Sequence, residues 1–173
     1  MKIDRGSGFT LVELMVVLVI IGILAALVVP NYVRYVTQTR RTDAQIALTN
    51  IVNRQEKFFT QCNSYAPTLE GAFAGCAAGI LGVADAAPML SPDRHYRITV
   101  TGGIRLRDGT WSAACGNGQI ACGYTLVANP GDAATTGRQQ TDGQFMTNSL
   151  GQKFWDRNNN GNYTDANEDR WTK

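Results

Sequence analysis

The sequence predicts an α+β fold in which a long N-terminal α-helix packs on a small antiparallel β-sheet. Three observations predict it. Residues 9–29 form an apolar run, residues 30–61 repeat apolar positions at helical spacing, and segments after residue 94 alternate apolar and polar residues. Because the helix precedes the strands instead of alternating with them, the chain of 173 residues is α+β.

The apolar run predicts a transmembrane helix. Residues 14–29 carry no charge, and at about 1.5 Å per residue the run 9–29 covers roughly 30 Å, the thickness of a bilayer core. A cleaved secretory signal would also place Lys2 and Arg5 before an apolar core and small residues near its end. The run continues beyond Ala26, however, so a retained helix is the favoured interpretation.

The charges and the cysteines predict one orientation. Lys2 and Arg5 hold the N-terminus on the cytoplasmic side, so the chain after Pro30 lies across the membrane. Four cysteines lie in that part. No two of them are spaced as C-x-x-C, so a zinc site is not predicted. Disulfides persist outside the cytoplasm. Of the three possible pairings, Cys62–Cys76 and Cys115–Cys122 are favoured because each closes a short local loop.

Residues 30–61 predict an amphipathic continuation of the same helix. Their apolar positions recur every three, four or seven residues and form one stripe. Pro30 is expected to loosen or kink the helix without ending it, giving one helix of about 50 residues and near 80 Å.

The soluble part is predicted to contain a connection and then a sheet. Residues 62–93 are broken by Pro and Gly and form the αβ connection, and residues 94–173 supply the sheet and the C-terminal loops. Strands are predicted at 96–101, 123–128 and 144–148, with shorter candidates at 103–107 and 111–115.

The C-terminal stretch DRNNNGNYTDANED is similar to a calcium-binding EF-hand loop. The sequence predicts no cofactor apart from Ca²⁺, which would bind oxygen donors in this stretch. The twelfth position is Asn167 in place of the usual Glu, so an Asn/Gly turn region held by side-chain to backbone hydrogen bonds is the alternative. The calcium donors would be Asp156, Asn158, Asn160, Asn162 and Thr164, with Gly161 at the turn.

Glu13 is the unusual residue of the apolar run. A carboxylate within a membrane helix costs a few kcal/mol unless water or a partner reaches it. Either the side chain is hydrated near the cytoplasmic interface, or it has a function.

The N-terminal motif carries a family resemblance. A basic leader, Gly8, the sequence FTLVE at 9–13 and a long apolar helix resemble the class III signal of type IV pilins and pseudopilins. The resemblance implies that a prepilin peptidase removes residues 1–8 by cleaving between Gly8 and Phe9 and then N-methylates Phe9. It also implies that Glu13 meets the N-terminal amine of a neighbouring subunit during assembly.

The same resemblance implies a domain plan and a function. Gly22 and Pro30 fall where type IVa pilins loosen the helix, between a membrane and assembly helix at 9–29 and a pilin domain at 30–173 outside the cytoplasm. The C-terminal region resembles minor pilins of the PilE type, so we expect a low-abundance pilus subunit serving assembly, adhesion or twitching motility. Implied partners are other pilin subunits, the prepilin peptidase and an inner-membrane assembly platform. The chain would be a single-pass inner-membrane protein before assembly into an extracellular filament.

Two other functions remain open, and an enzyme is not expected. A type II secretion pseudopilin would share the signal. A competence pilin would bind DNA through a basic strip, although such arginines are also typical of a solvated face. The sequence contains no G-x-S-x-G, P-loop or H-E-x-x-H motif, and His95 is the single histidine. The candidate strip is Arg94, Arg97, Arg105 and Arg107.

Overall fold

The computed structural model describes residues 9–71, 75–84, 88–130, 139, 142–165, 168 and 171. The predicted α+β fold is confirmed. One long helix is followed by a short parallel strand pair and a four-stranded antiparallel sheet. The elements are α1 (Leu11–Cys62), β1 (Thr68–Glu70), a short 3-10 helix (Cys76–Ala78), β2 (Ile80–Ala84), β3 (Arg97–Gly102), β4 (Tyr124–Asn129), β5 (Gln144–Asn148) and β6 (Lys153–Asp156).

The chain divides into two compact units, and the first ends at Thr39. Its described part contains the first half of α1, whose large apolar side chains from Leu11 to Tyr35 are exposed. Among the described residues, α1 is the one helix long and apolar enough to cross a membrane, judged by length and composition. The helix continues through Gly22 and Pro30, although proline has no N–H to donate to the preceding turn.

The second unit begins at Arg40 and contains the sheet. Strands β3 to β6 pair antiparallel in chain order, so each connection joins neighbouring strands. One face of the sheet packs against the apolar stripe of α1, because the stripe recurs at helical spacing and inward-facing strand residues recur at every second position. This core includes Ala44, Leu48, Ile51 and Phe58 from α1 and Tyr96, Ile98, Tyr124, Leu126, Phe145 and Trp155 from the sheet region.

The opposite face of the sheet is also covered. Met146 of β5 and Phe154 of β6 form a second apolar cluster with Tyr163, and Val127 of β4 packs against it. Tyr163 belongs to the C-terminal loop and is completely buried. The loop that follows β6 is therefore part of the packed structure.

Three parts of the sheet prediction were wrong or incomplete. The candidate strands 103–107 and 111–115 contain only the isolated bridges Arg105–Trp111 and Ser112–Cys115. The chain turns instead at Gly103 and Gly109, whose φ angles are 99° and 80°. Strand β6 and the parallel pair β1–β2 were not predicted. Strands β1 and β6 have only three and four residues, and β2 lies in the stretch that Pro and Gly mark as the αβ connection.

The structure contains the two disulfides that short loop closure favours, Cys62–Cys76 and Cys115–Cys122. The first joins the end of α1 to the short 3-10 helix, and the second closes a loop after residue 114. From loop-closure entropy we expect C62S/C76S to lower the free energy of unfolding by about 3 kcal/mol and C115S/C122S by about 2.5 kcal/mol. Denaturant unfolding of the full chain in detergent measures both. A larger loss for the second pair would contradict loop-closure entropy as the main source of the stabilisation.

Candidate functional site

The start of α1 forms a capping box between Thr10 and Glu13. The Glu13 carboxylate accepts hydrogen bonds from the Thr10 backbone N–H at 3.0 Å and from the Thr10 hydroxyl at 2.9 Å. In return, the Thr10 hydroxyl oxygen accepts the Glu13 backbone N–H at 3.2 Å. These bonds satisfy donors that every helix start leaves without a partner, and the negative charge suits the positive end of the helix dipole.

The capping role was not predicted, although the sequence contains the signal. Thr10 followed three residues later by Glu13, just before an apolar run, is the pattern of a capping box. The carboxylate therefore has local partners within its own chain, and its side chain stays exposed at the helix start. It can both cap the helix and present a negative charge to another molecule.

The other predicted residues of this segment lie beside an open apolar surface. Phe9 is 84% exposed, whereas Gly8 lies outside the described residues. A Cβ added at Gly22 would meet nothing within 4 Å, so none of the side chains that the structure describes covers that position. Further along α1, the Asn31 side-chain amide donates to the Leu27 carbonyl at 3.1 Å, which adds a bond to the helix next to Pro30.

The C-terminal loop is organised around the buried Asp156 carboxylate. One oxygen accepts the Asn160 backbone N–H at 3.0 Å, and the other accepts the Gly161 N–H at 2.7 Å. Asn158 and Asn160 both donate their side-chain amides to Asp165, the second at 3.1 Å. This is the Asn/Gly turn network that was the alternative to a calcium loop.

Two arginines hold this loop by its main chain. Arg105 donates to the Gly161 carbonyl at 2.9 Å, and Arg107 donates to the Tyr163 carbonyl at 2.8 Å and the Thr164 carbonyl at 3.4 Å. The Tyr163 N–H donates back to the Arg107 carbonyl at 3.2 Å. These two members of the predicted basic strip are therefore engaged in the fold.

The loop also leaves two buried polar atoms without a partner among the described residues. They are the Asn162 Oδ1 atom and the Tyr163 hydroxyl. Burial raises the pKa of Tyr163 to about 12; the Arg105 charge opposes the shift, and Asp156 and Glu168 add to it. The hydroxyl is thus neutral at physiological pH.

The donors of the loop fit calcium in type. Oxygen atoms of Asp, Asn and Thr are ligands that Ca²⁺ takes. Both Asp156 oxygens already accept backbone N–H groups, whereas the Asn162 Oδ1 atom is unused. Within the described part of the chain no group of three or more Asp, Glu, His or Cys residues is placed to hold a metal, so a calcium site would depend on the asparagines.

A partly buried ion pair joins α1 to the chain just before β5. Arg41 donates to both oxygens of Asp142, at 2.8 to 3.1 Å, and its guanidinium lies 4.3 Å from the centre of the Trp155 ring. The Tyr96 hydroxyl donates to Asp142 at 2.7 Å, and Gln139 donates to the same carboxylate at 3.1 Å. Burial and the Asp142 charge raise the pKa of Tyr96, which keeps its hydroxyl a donor.

Sequence patterns do not reveal this network. Arg41 and Asp142 are 101 positions apart, and each resembles an ordinary surface charge in the sequence. Only the fold brings them together.

Two family models match the chain. The model described as "Type IV minor pilin ComP, DNA uptake sequence receptor" matches residues 30–144, about two thirds of the chain. The model described as "Prokaryotic N-terminal methylation motif" matches residues 4–29. The second match covers the segment that contains Gly8, Phe9 and Glu13.

Curated relatives match mainly over part of their length. The type IV major pilin protein PilA of Myxococcus xanthus is 39% identical over 61 residues, which cover 35% of this chain and 28% of the relative. The type II secretion system core protein G of Aeromonas hydrophila is 43% identical over 74 residues, 41% of this chain and 50% of the relative. A fimbrial protein of Pseudomonas aeruginosa is 57% identical over 38 residues, 22% of this chain and 25% of the relative.

The chain thus spans half or less of the length of these relatives, and they include both pilins and a secretion protein. The family itself follows from the larger match. The family model that covers about two thirds of the chain agrees with the structure, in which a long N-terminal helix precedes an antiparallel sheet. The chain belongs to the type IV pilin family, in the group that the minor pilin ComP model describes.

Proposed function

We propose that the chain is a structural subunit of a type IV pilus, present as a minor pilin of low abundance that helps to start the filament or joins it. The observation that carries this proposal is the first half of α1. Its large apolar side chains from Leu11 to Tyr35 are exposed in the single chain, and a carboxylate stands at its capped start. Such a helix needs lipid or neighbouring helices around it.

Processing would convert the helix start into an assembly site. Hydrolysis of the peptide bond between Gly8 and Phe9 by a prepilin peptidase leaves a free amine on Phe9, which is then N-methylated. The match to the methylation motif over residues 4–29 supports this step. The cationic amine of one subunit would then pair with the Glu13 carboxylate of its neighbour.

The pairing has a clear physical advantage. A carboxylate and an amine buried separately in an apolar helix bundle would each lose the stabilisation that water gives. Paired, they offset much of that cost and fix the axial position of one helix against the next. Before assembly the same helix would anchor the chain in the inner membrane, with the amine on the cytoplasmic side.

Mass spectrometry of the native protein tests the processing. We expect a mass that lacks residues 1–8 and carries one methyl group, and G8L should abolish both changes because the bulky side chain replaces the glycine at the cleaved bond. G22L is the matched control, since a side chain at Gly22 meets open space. An unprocessed wild-type chain would overturn the proposed maturation.

A second candidate function is DNA uptake. The description of the matching model, which names a DNA uptake sequence receptor, supports it over residues 30–144. The relatedness to secretion core proteins keeps a secretion pseudopilin as the alternative. A deletion strain scored for surface pili, DNA uptake and protein secretion separates the three, because each machine loses a different activity.

We also propose that the C-terminal loop takes one Ca²⁺ ion, with Asp156 as the charged donor and Asn158, Asn160, Asn162 and Thr164 as further oxygen donors. The unused Asn162 Oδ1 atom supports this. Calorimetric titration of the full chain with CaCl₂ should show saturable heat, which D156N should remove. D108N is the control, because the exposed Asp108 carboxylate accepts hydrogen bonds from the Thr110 backbone N–H and hydroxyl within its own turn. An absence of heat in the wild type would leave the loop as a turn network.

A further inference from the structure

We propose that a cationic groove along α1, lined by Asn50, Asn53, Arg54 and Lys57, binds the phosphate backbone of duplex DNA. The proposal rests on the DNA uptake function proposed above and names the surface that would serve it. It also moves the contact away from the arginine strip that the sequence suggests.

The four residues share one face of the helix. Their positions follow the spacing i, i+3, i+4 and i+7, and all four side chains are exposed. They line a cavity of about 610 Å³ whose other wall contains Val83, Met89, Leu90 and Pro92. A second cavity, of about 440 Å³, shares Arg54 and Lys57 and extends the groove to Gln61.

The polar groups of the groove are largely unused by the fold. Arg54 donates one N–H to the Gly82 carbonyl at 3.0 Å, which fixes its guanidinium and leaves its other donors available. Within the described part of the chain, the Lys57 ammonium and the Asn50 and Asn53 amides have no hydrogen-bond partner. No carboxylate lines either cavity among the described residues.

Two acidic side chains accept backbone N–H groups in or next to the segment that forms the apolar wall. Glu70 accepts the Met89 N–H at 3.1 Å, and Asp43 accepts the Asp93 N–H at 3.2 Å. The groove therefore presents positive charge and amide donors beside an apolar wall, which is the chemistry that recognises phosphate and sugar.

The dimensions suit a nucleic-acid backbone. From Asn50 to Lys57 the helix rises about 10 Å. One DNA strand places a phosphate about every 3.4 Å along its axis, so the row faces about three phosphates. By contrast, Arg105 and Arg107 of the sequence-predicted strip donate to carbonyls of the C-terminal loop.

Fluorescence anisotropy with labelled duplex DNA tests the proposal, using the full chain in detergent over a range of salt concentrations. If Lys57 contacts one phosphate, K57Q should weaken binding about 8-fold near 0.1 M salt and make the log–log salt slope shallower by about 0.9. R54Q/K57Q should make it shallower by about 1.8. K153Q removes the same charge from β6 and should leave both quantities unchanged.

Each outcome has a separate meaning. Wild-type protein without salt-dependent DNA binding would overturn the DNA uptake function and this site together. Wild-type binding with an unchanged salt slope in R54Q/K57Q would overturn the site alone. If R54Q/K57Q lost pilus assembly but kept its DNA affinity, the groove would instead bind an acidic surface of a neighbouring subunit. That outcome would overturn the proposal.

Discussion

E13Q should abolish assembly of the subunit into filaments. The substitution removes the negative charge that we propose pairs with the Phe9 amine of a neighbouring subunit. Breaking a buried ion pair by removing one partner costs about 3–5 kcal/mol, so incorporation should fall at least about 100-fold. Immunoblotting of sheared filaments against the membrane fraction measures the incorporated share, with mass spectrometry to establish that the variant is still cleaved and methylated.

The capping box makes this experiment specific. Glutamine at the third helical position can also serve in a capping box, so E13Q retains the helix start and loses the charge. T10A does the reverse: it removes the capping hydroxyl, at about 1 kcal/mol, and keeps the carboxylate. We expect T10A to assemble. If T10A lost assembly as completely as E13Q does, the role of Glu13 would be capping, and the proposed intersubunit pair would be wrong.

D142A should cause a large loss of folding stability, comparable to the loss expected when the Cys62–Cys76 disulfide is removed. It leaves the Arg41 guanidinium, which is 28% exposed, and the Tyr96 hydroxyl without their shared acceptor. We expect the free energy of unfolding to fall by about 3 kcal/mol, the lower end for a broken buried pair because Arg41 is partly hydrated. For a chain of this size the melting temperature would fall by about 6–12 °C. Thermal unfolding of the full chain in detergent, followed by near-ultraviolet circular dichroism, measures the shift.

Two further variants separate the ion pair from general disruption. R40Q removes the same charge from the residue next to Arg41 and should change the melting temperature little. R41M/D142L replaces both partners with apolar groups and should recover much of the stability that D142A loses, because no charge remains buried alone. A D142A protein as stable as the wild type would show that Tyr96 and Gln139 find other partners.

Local patterns made most of the fold predictable. The apolar run 9–29 and the stripe that follows it predicted α1 almost to its ends, because a continuous period over some 50 residues is a strong signal. Strands β3, β4 and β5 were predicted within a residue or two, since each alternates or carries branched and aromatic side chains. Strand β6, with four residues, was missed because Trp155 and Phe154 stand next to an Asn-rich stretch that is typical of a loop.

The sites were predictable only where the chemistry is local. The Thr10–Glu13 box lies within one helical turn, and the Asp156 turn network lies within six residues. The Arg41–Asp142 pair and the Arg105 contact with Gly161 join distant positions, so no local pattern in the sequence predicts either contact. Charge alone does not distinguish a structural arginine from one that meets a ligand. The number of N–H donors that the fold leaves unused distinguishes the two.

The hydrogen bonds from Arg105 and Arg107 to the C-terminal loop affect which residues on the loop surface can be substituted. Both guanidiniums reach carbonyl oxygens, which every amino acid supplies, so the anchorage does not depend on which side chains the loop displays outward. An exposed position such as Arg157 can therefore vary while the loop stays docked on the sheet. A filament of such subunits would then present a different surface to antibodies and receptors while the fold of each subunit stays the same.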